Sequence, residues 1–291
     1  MSDRARQELL TRARARMEEQ GRRGLRRMPP RPRRPEQQIR AYQAALRRVT
    51  ASIEETVREL VFPVLDDLLD EAGTRSDAER LDDWGQRLRD LFNATRSSIQ
   101  PVIGRTRELM LSLGDDTTER ASGEVVRAIR ATLGVAPTFY DDDRVRGILN
   151  AWKAQNEAFI TRMADDAIEQ MMDTASRAVR QGRPTREVKD ELRKRFGISD
   201  RRARTIARTE ISQLNAQVTR ERQREVGIEG YIWVATSDDR TRDEHADLDG
   251  TFVAWDDPPS STDGLHAGEP VMCRCVSRAA VDRLLDQLEA E

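Results

Sequence analysis

The chain has few of the residues that build disulfide-rich, all-β or membrane-spanning proteins. Its 291 residues include two cysteines, two histidines, four tryptophans, three tyrosines and six phenylalanines. Two cysteines cannot form a disulfide framework, so we expect synthesis in a reducing cytoplasm. The longest apolar runs, such as residues 60–65, are far shorter than the roughly 18 to 20 residues that cross a bilayer. No membrane association is therefore expected, and the basic start of the chain lacks the apolar stretch of a secretory signal.

Charge is what the chain has in abundance. Charged residues make up 35% of the sequence and hydrophobic residues only 37%. This balance favours long, solvated helices over a sandwich or barrel, and the length suffices for about two domains. The predicted fold class is mostly α, with an extended N-terminal helical region followed by a small α+β C-terminal domain.

Residues 1–35 are predicted to form a basic, partly disordered arm. Residues 1–48 contain fifteen arginines and five acidic residues, whereas the whole chain has a formal charge of −2. Prolines among residues 26–35 disfavour helix and favour extended chain. Such a block attracts polyanions, so double-stranded DNA is a candidate partner, although a generic solvated arm fits equally well. The candidate nucleic-acid contacts are Arg22, Arg23, Arg26, Arg27, Arg31, Arg33 and Arg34.

Residues 36–182 show helical periodicity almost throughout, interrupted at glycine and proline positions. The predicted helices lie near residues 37–71, 76–99, 102–113, 116–133 and 141–181.

Residues 183–280 are predicted to form the α+β domain, followed by a C-terminal helix over 281–291. Pro184 and Thr185 begin a helix that Gly197 ends, and Ser199 begins a second helix that reaches about Val226. The arginines of residues 199–208 suit either a helix-turn-helix DNA-binding module or an ordinary helix corner. Residues 229–236 have the aromatic and β-branched content of a strand.

The chain's histidines and cysteines fall within positions 245–275, which suggests a metal site. His245, His266, Cys273 and Cys275 together form a tetrahedral zinc donor set, and Asp238 or Asp249 could share in ligation. Cys-x-Cys is less diagnostic than Cys-x-x-Cys. The alternative is two buried thiols and two hydrogen-bonded histidines without metal.

Residues 238–245 also permit a catalytic interpretation. Asp238, Arg240 and His245 combine an acid, a phosphate-binding cation and a base within eight positions. Acids and arginines in alternation equally form a salt-bridged loop. Because no nucleophile-base pair, phosphate loop or dinucleotide fingerprint accompanies them, the prediction is that the protein is not an enzyme.

Five motifs occur in order and resemble those of the phage head-morphogenesis family, the Mu-F-like minor head proteins. They are Ala207–Glu210, Trp233–Thr236, Asp238–His245, Leu248–Gly250 and Gly268–Cys275. The motif positions singled out as structural are Arg208, Glu210, Trp233, Asp238, Arg240, Asp249 and Gly250. The resemblance covers roughly residues 185–280. One departure is Ala267, where members often have a proline after the histidine.

The resemblance implies a minor capsid protein of a tailed double-stranded DNA phage or prophage. It implies association with the portal protein, the head interior and capsid or scaffold proteins, in the virion and, during assembly, in the host cytoplasm. Contact with packaged DNA is expected from the basic arm. The alternatives are a metal-dependent enzyme that processes or modifies nucleic acid in the head, and a DNA-binding module.

Overall fold

The computed structural model describes the chain except residues 1, 22–27, 73–77, 182, 237, 239, 240 and 291. The longer helices are α1 (Ser2–Gln20), α2 (Glu36–Thr56), α3 (Phe62–Ala72), α4 (Ala78–Ser98), α5 (Gln100–Leu133), α6 (Asp142–Arg180) and α7 (Thr185–Glu225). A turn of π-helix over Val57–Val61 joins α2 to α3. The C-terminal part contains β1 (Gly230–Val234), α8 (Asp243–Asp247), β2 (Phe252–Ala254), β3 (Val276–Ala279) and α9 (Val281–Ala290). The predicted mostly α class with a small C-terminal sheet is confirmed.

Two glycines that were predicted to interrupt helices lie within them. Gly114 is inside α5, where a Cβ atom would approach Cζ3 of Trp152 to 2.7 Å, so glycine makes room for the buried indole. Gly197 lies inside α7, which is continuous. The predicted helix end at Gly197 is therefore wrong, and with it the helix-turn-helix interpretation of residues 199–208. A glycine inside a helix costs only about 1 kcal/mol, which tertiary packing can offset.

The chain divides into two compact units. The helical unit comprises Arg40–Leu111 and Ala154–Ala207, and the sheet unit comprises Met1–Ile39, Ser112–Lys153 and Arg208–Glu291. In the helical unit, the buried Tyr42 hydroxyl donates a 2.8 Å hydrogen bond to Asn156, and Arg47 forms a bidentate ion pair with Asp200.

The sheet has the strand order β2-β1-β3, and both pairings are antiparallel. Its central strand confirms the predicted strand at residues 229–236. Tyr231 and Trp233 are fully buried there, together with Val253, Trp255 and Ala267. The two outer strands are too short, at three and four residues, to produce a clear alternation in the sequence.

The basic N-terminal segment contains a helix where partial disorder was predicted. Ala5, Leu9 and Ala13 recur every four residues along α1 and are at most 1% exposed. They pack in one cluster with residues of α5 and the C-terminal part, including Ile129 and Val281. Small apolar residues on one face explain the helix, because tertiary burial compensates for its many charges.

The proline-containing residues 28–35 are not helical, as their composition predicted. Arg120 of α5 donates hydrogen bonds of 2.8 and 3.0 Å to the carbonyls of Arg33 and Arg34. In the described part of the chain, no helix is both long and apolar enough to cross a membrane.

Candidate metal centre

Three of the four predicted metal ligands meet in the sheet unit. His245 comes from α8, while Cys273 and Cys275 lie in the loop that enters β3. The Nδ1 atom of His245 lies 3.6 Å from Sγ of Cys273 and 3.4 Å from Sγ of Cys275. Each of the three residues is 4% exposed. Among the described residues, these form a His/Cys group that could hold an ion.

The separations in this group fit a tetrahedral zinc ion. With Zn–S bonds of about 2.3 Å and Zn–N bonds of about 2.0 Å, sulfur and nitrogen ligands are about 3.5 Å apart. The observed distances of 3.6 and 3.4 Å agree with that edge. Imidazole and thiolate are also the donors that zinc prefers. The residues present therefore fit zinc on both geometry and chemistry.

Hydrogen bonds already favour a thiolate in the group. A hydrogen bond from the Cys275 thiol lowers the pKa of Cys273 to about 6, and the backbone N–H groups of Cys275 and Gly268 act in the same direction. The Cys275 N–H donates to Sγ of Cys273 at 3.4 Å. The pairing and burial raise the pKa of Cys275. Backbone donors of this kind hold a thiolate in place for a metal.

Helix α7 holds the loop that carries the cysteines. The N–H of Met272, a residue with a φ of 60°, donates a 3.1 Å hydrogen bond to the Thr209 hydroxyl. Gln213 donates to the carbonyl of Glu269 at 2.7 Å, and Arg220 pairs with the Glu269 carboxylate at 3.2 Å. Sequence reasoning missed these contacts because they join residues 49 to 63 positions apart.

His266 does not join the metal group, which corrects the predicted four-ligand set. Its Nδ1 atom lies 3.4 Å from the Tyr231 hydroxyl, and its ring stands edge-on to Trp255 with the ring centroids 5.1 Å apart. Burial lowers the pKa of His266. The side chain is therefore part of the aromatic core, although it is as buried as the ligands.

The aspartates that could have shared in ligation make other contacts. Asp238 forms a bidentate ion pair with Arg274, the residue between the two cysteines. Asp249 accepts a 2.8 Å hydrogen bond from the N–H of Ala235. Arg240, a candidate for catalysis and for the family motif, lies outside the described residues, as does its neighbour Asp239. The described part of residues 238–245 thus supports the interpretation as an ion-paired loop.

Residues 169–278 match the family described as Phage Mu protein F like protein. The match confirms the resemblance and includes all of α7, the sheet except Ala279 and all three metal-group residues. No solved structure matches the chain.

The chain is also similar to an uncharacterized protein of Haemophilus influenzae. The two are 32% identical over 134 residues, which is 46% of this chain and 30% of that relative. The match thus spans less than a third of the length of this curated relative.

Other positions of the five motifs lie near the metal group or make buried contacts elsewhere in the sheet unit. The fully buried Trp233 places its ring edge-on to His245, with the centroids 5.4 Å apart. Gly250 has a φ of 78° and donates to the carbonyl of Trp233 at 2.9 Å. Glu210 is 6% exposed on α7, and its carbonyl accepts a hydrogen bond from the indole of Trp152. Arg208 lies on α7, two positions before Glu210.

The candidate nucleic-acid contacts divide into two sets. Arg22, Arg23, Arg26 and Arg27 lie outside the described residues. Arg31 donates a 2.6 Å hydrogen bond to the carbonyl of Ala235, and Arg34 contacts Thr236 and Glu36. The Arg33 side chain is exposed. Arg31 and Arg34 therefore make intramolecular contacts that the sequence did not predict.

Proposed function

We propose that the protein is a minor capsid component that acts in head morphogenesis of a tailed double-stranded DNA phage or prophage. The observation that carries the proposal is the match of residues 169–278 to the Phage Mu protein F like family. The five ordered motifs between Ala207 and Cys275 support it. The protein acts in the host cytoplasm during assembly and stays in the virion, beside capsid or scaffold proteins.

The portal protein is the specific partner that we propose. Long helices with an apolar stripe are suited to packing against helices of another subunit. To test this, the chain is co-expressed with the portal protein of the same phage, and particles purified after induction are analysed by mass spectrometry. We expect co-elution with the portal oligomer and a low copy number in heads. Absence from both the portal fraction and the heads would contradict the proposal.

Zinc is the cofactor that we propose for His245, Cys273 and Cys275. The donor types, the separations of 3.4 and 3.6 Å, and the burial of all three residues support it. Bound zinc supplies a cross-link between α8 and the loop before β3. Three protein ligands leave one tetrahedral position to a further ligand. Because each ligand is only 4% exposed, a structural role fits better than an ion open to substrate.

Contact with packaged DNA is proposed for the arginines of the N-terminal segment. The charge of residues 1–48, fifteen arginines against five acids, supports it. Binding of this kind depends on phosphate neutralisation and not on base sequence, so it weakens steeply with salt.

A second candidate function is metal-dependent processing of nucleic acid. Three protein ligands with an open fourth position are the arrangement of many catalytic zinc sites, which is the observation that favours it. The ion pair between Asp238 and Arg274 weakens it, because that carboxylate is then engaged. Purified protein is incubated with DNA and RNA and divalent metals, beside His245→Ala. Cleavage that the variant loses would support the enzyme, and no cleavage would oppose it.

A further inference from the structure

The sheet unit contains a second candidate site, a cavity of about 540 Å³ lined by residues of β2 and of the segment between α7 and β1. Three helices each contribute one arginine to its wall: Arg6 from α1, Arg224 from α7 and Arg283 from α9. Phe252 and Trp255, at the two ends of β2, line it as well. The volume is within the range of about 300 to 1,000 Å³ that small-molecule sites occupy.

The arginines of this cavity are arranged for an anion. The guanidinium carbon of Arg283 lies 3.6 Å above the Phe252 ring, which orients its planar group. Within the described chain, no carboxylate lies at ion-pair distance from Arg224 or Arg283. Glu229 and Asp256 also line the cavity, and both are exposed. Guanidinium groups without a carboxylate partner are suited to bidentate hydrogen bonds with phosphate.

Trp255 contributes a buried part of the wall, because it is 5% exposed and its ring packs against Tyr231, with the ring centroids 4.4 Å apart. Its Nε1 atom has no hydrogen-bond partner within the described residues and is itself buried. Phe252, which is half-buried, offers apolar ring surface beside the cations, and such surface favours contact with a base.

We propose that this cavity binds a phosphate-bearing nucleotide unit, with Arg224 and Arg283 on the phosphate and Phe252 against the base. The unit is either a free nucleotide or one nucleotide of a DNA strand, since both present the same chemistry. This proposal does not rest on the role in head morphogenesis. If the protein binds nucleotide but is absent from phage particles, nucleotide binding by the cavity is supported and the proposed function is contradicted.

The test measures binding to the full chain by calorimetry with dAMP, ATP, inorganic phosphate and a 20-nucleotide single strand. Arg224→Gln, Arg283→Gln and Phe252→Leu are compared with Arg130→Gln, an exposed arginine of the same unit outside the cavity. A lost hydrogen bond to a charged group costs at least about 1.5 kcal/mol, so each arginine variant should bind about tenfold more weakly. Phe252→Leu should weaken dAMP binding and leave inorganic phosphate unchanged.

The arms of the experiment identify the source of the phosphate. Binding of dAMP or ATP that the arginine variants weaken supports a free nucleotide, and binding of the strand alone supports DNA. No binding of any probe overturns the proposal, and so does an equal loss in Arg130→Gln and the cavity variants. Since the side chains of Arg224 and Arg283 are exposed, circular dichroism should show folded single variants. If one of these variants is unfolded, lysine replaces glutamine at that position. The lysine variant keeps the positive charge but loses the bidentate geometry, so it should also bind the nucleotide more weakly than the wild type.

Discussion

The Nδ1 atom of His245 lies 3.4 Å from Sγ of Cys275, although 30 positions separate the two residues. His245 lies on α8, before β2 in the sequence, and Cys275 lies after β2, just before β3. An ion bound by both residues would therefore cross-link two segments of the sheet unit that β2 separates in the sequence. Both side chains are buried, which places this contact inside the core and not at an open cleft. The relationship makes the zinc proposal directly testable.

Replacing either cysteine by serine should remove the metal and destabilise the sheet unit. Purified wild-type protein should contain about one zinc per chain, and Cys273→Ser and Cys275→Ser should contain almost none. We expect a loss of at least about 2 kcal/mol, which lowers the unfolding temperature by about 4 to 8 °C in a protein of this size. Elemental analysis and calorimetry measure the two effects.

His266→Gln is the matched control for the cysteine variants. His266 is as buried as the ligands but lies against Tyr231 and Trp255, so its replacement should leave the zinc content near one equivalent. Zinc lost equally in this variant, or a wild-type protein that is stable and free of zinc, would contradict the three-ligand site.

The ion pair between Asp238 and Arg274 should stabilise the cysteine loop modestly. A double-mutant cycle with Asp238→Asn and Arg274→Gln should give a coupling energy of about 0.5 to 1 kcal/mol, because the aspartate side chain is 41% exposed and solvent screens the pair. Urea denaturation measures each variant. Additive effects would mean that the pair makes no contribution, while loss of a nuclease activity in Asp238→Asn would favour the catalytic interpretation.

Stability should decrease as the pH falls below about 6.5, partly through His266. Burial holds the pKa of this imidazole below its ordinary value. The negative charge of Glu269 raises the pKa, and the positive charges of Arg220 and Arg224 lower it further. In acid the unfolded chain then binds a proton that the folded protein does not, so folding loses up to about 1.4 kcal/mol per pH unit.

Urea midpoints between pH 7 and 5 test this dependence. His266→Gln should show a shallower decrease than the wild type over that range, because the substituted side chain does not titrate. Identical slopes in the two proteins would show that His266 does not carry the effect.

Replacing Arg22, Arg23, Arg26 and Arg27 by glutamine should weaken DNA binding and reduce its salt dependence. If all four neutralise phosphates, the slope of log K against log salt should change by about 3 to 4 units. Fluorescence anisotropy at several salt concentrations measures this. Arg31→Gln with Arg34→Gln is the comparison, since those side chains contact Ala235, Thr236 and Glu36 and should mainly affect stability.

Substitution is a sharper test than truncation for the N-terminal segment. Removing residues 1–35 would also remove α1, whose Ala5, Leu9 and Ala13 are buried in the core cluster. A truncated protein could lose DNA binding through unfolding alone. Equal affinity and equal salt slope in the four-arginine variant would contradict the proposed contact.

Periodicity and local composition were sufficient for several elements. The start of α7 at Thr185, just after Pro184, and the central strand β1 lie where the sequence placed them. The buried residues Ile160, Met163, Ile168 and Met171 of α6 recur with the periodicity of a helix, within the predicted helix at 141–181. These features depend on neighbours within a few positions along the chain, so the sequence carries the signal directly.

Glycine was the least reliable local signal. Gly114 and Gly197 look like helix ends, yet α5 and α7 continue through them. At Gly114 the reason is the Trp152 indole, which comes from another helix and needs the space that a side chain would fill. A close approach of this kind leaves no mark in the residues adjacent to the glycine.

The amino-acid sequence alone was enough to find the family resemblance, the helical character and the histidines and cysteines that include the three metal-group residues, because motif order, periodicity and residue type are local properties. Only the folded chain separated His266 from His245, and only it joined Arg6, Arg224 and Arg283 around one cavity. The physical reason is that both outcomes depend on how distant elements pack. The aromatic core of the sheet unit takes His266, and three helices bring their arginines together.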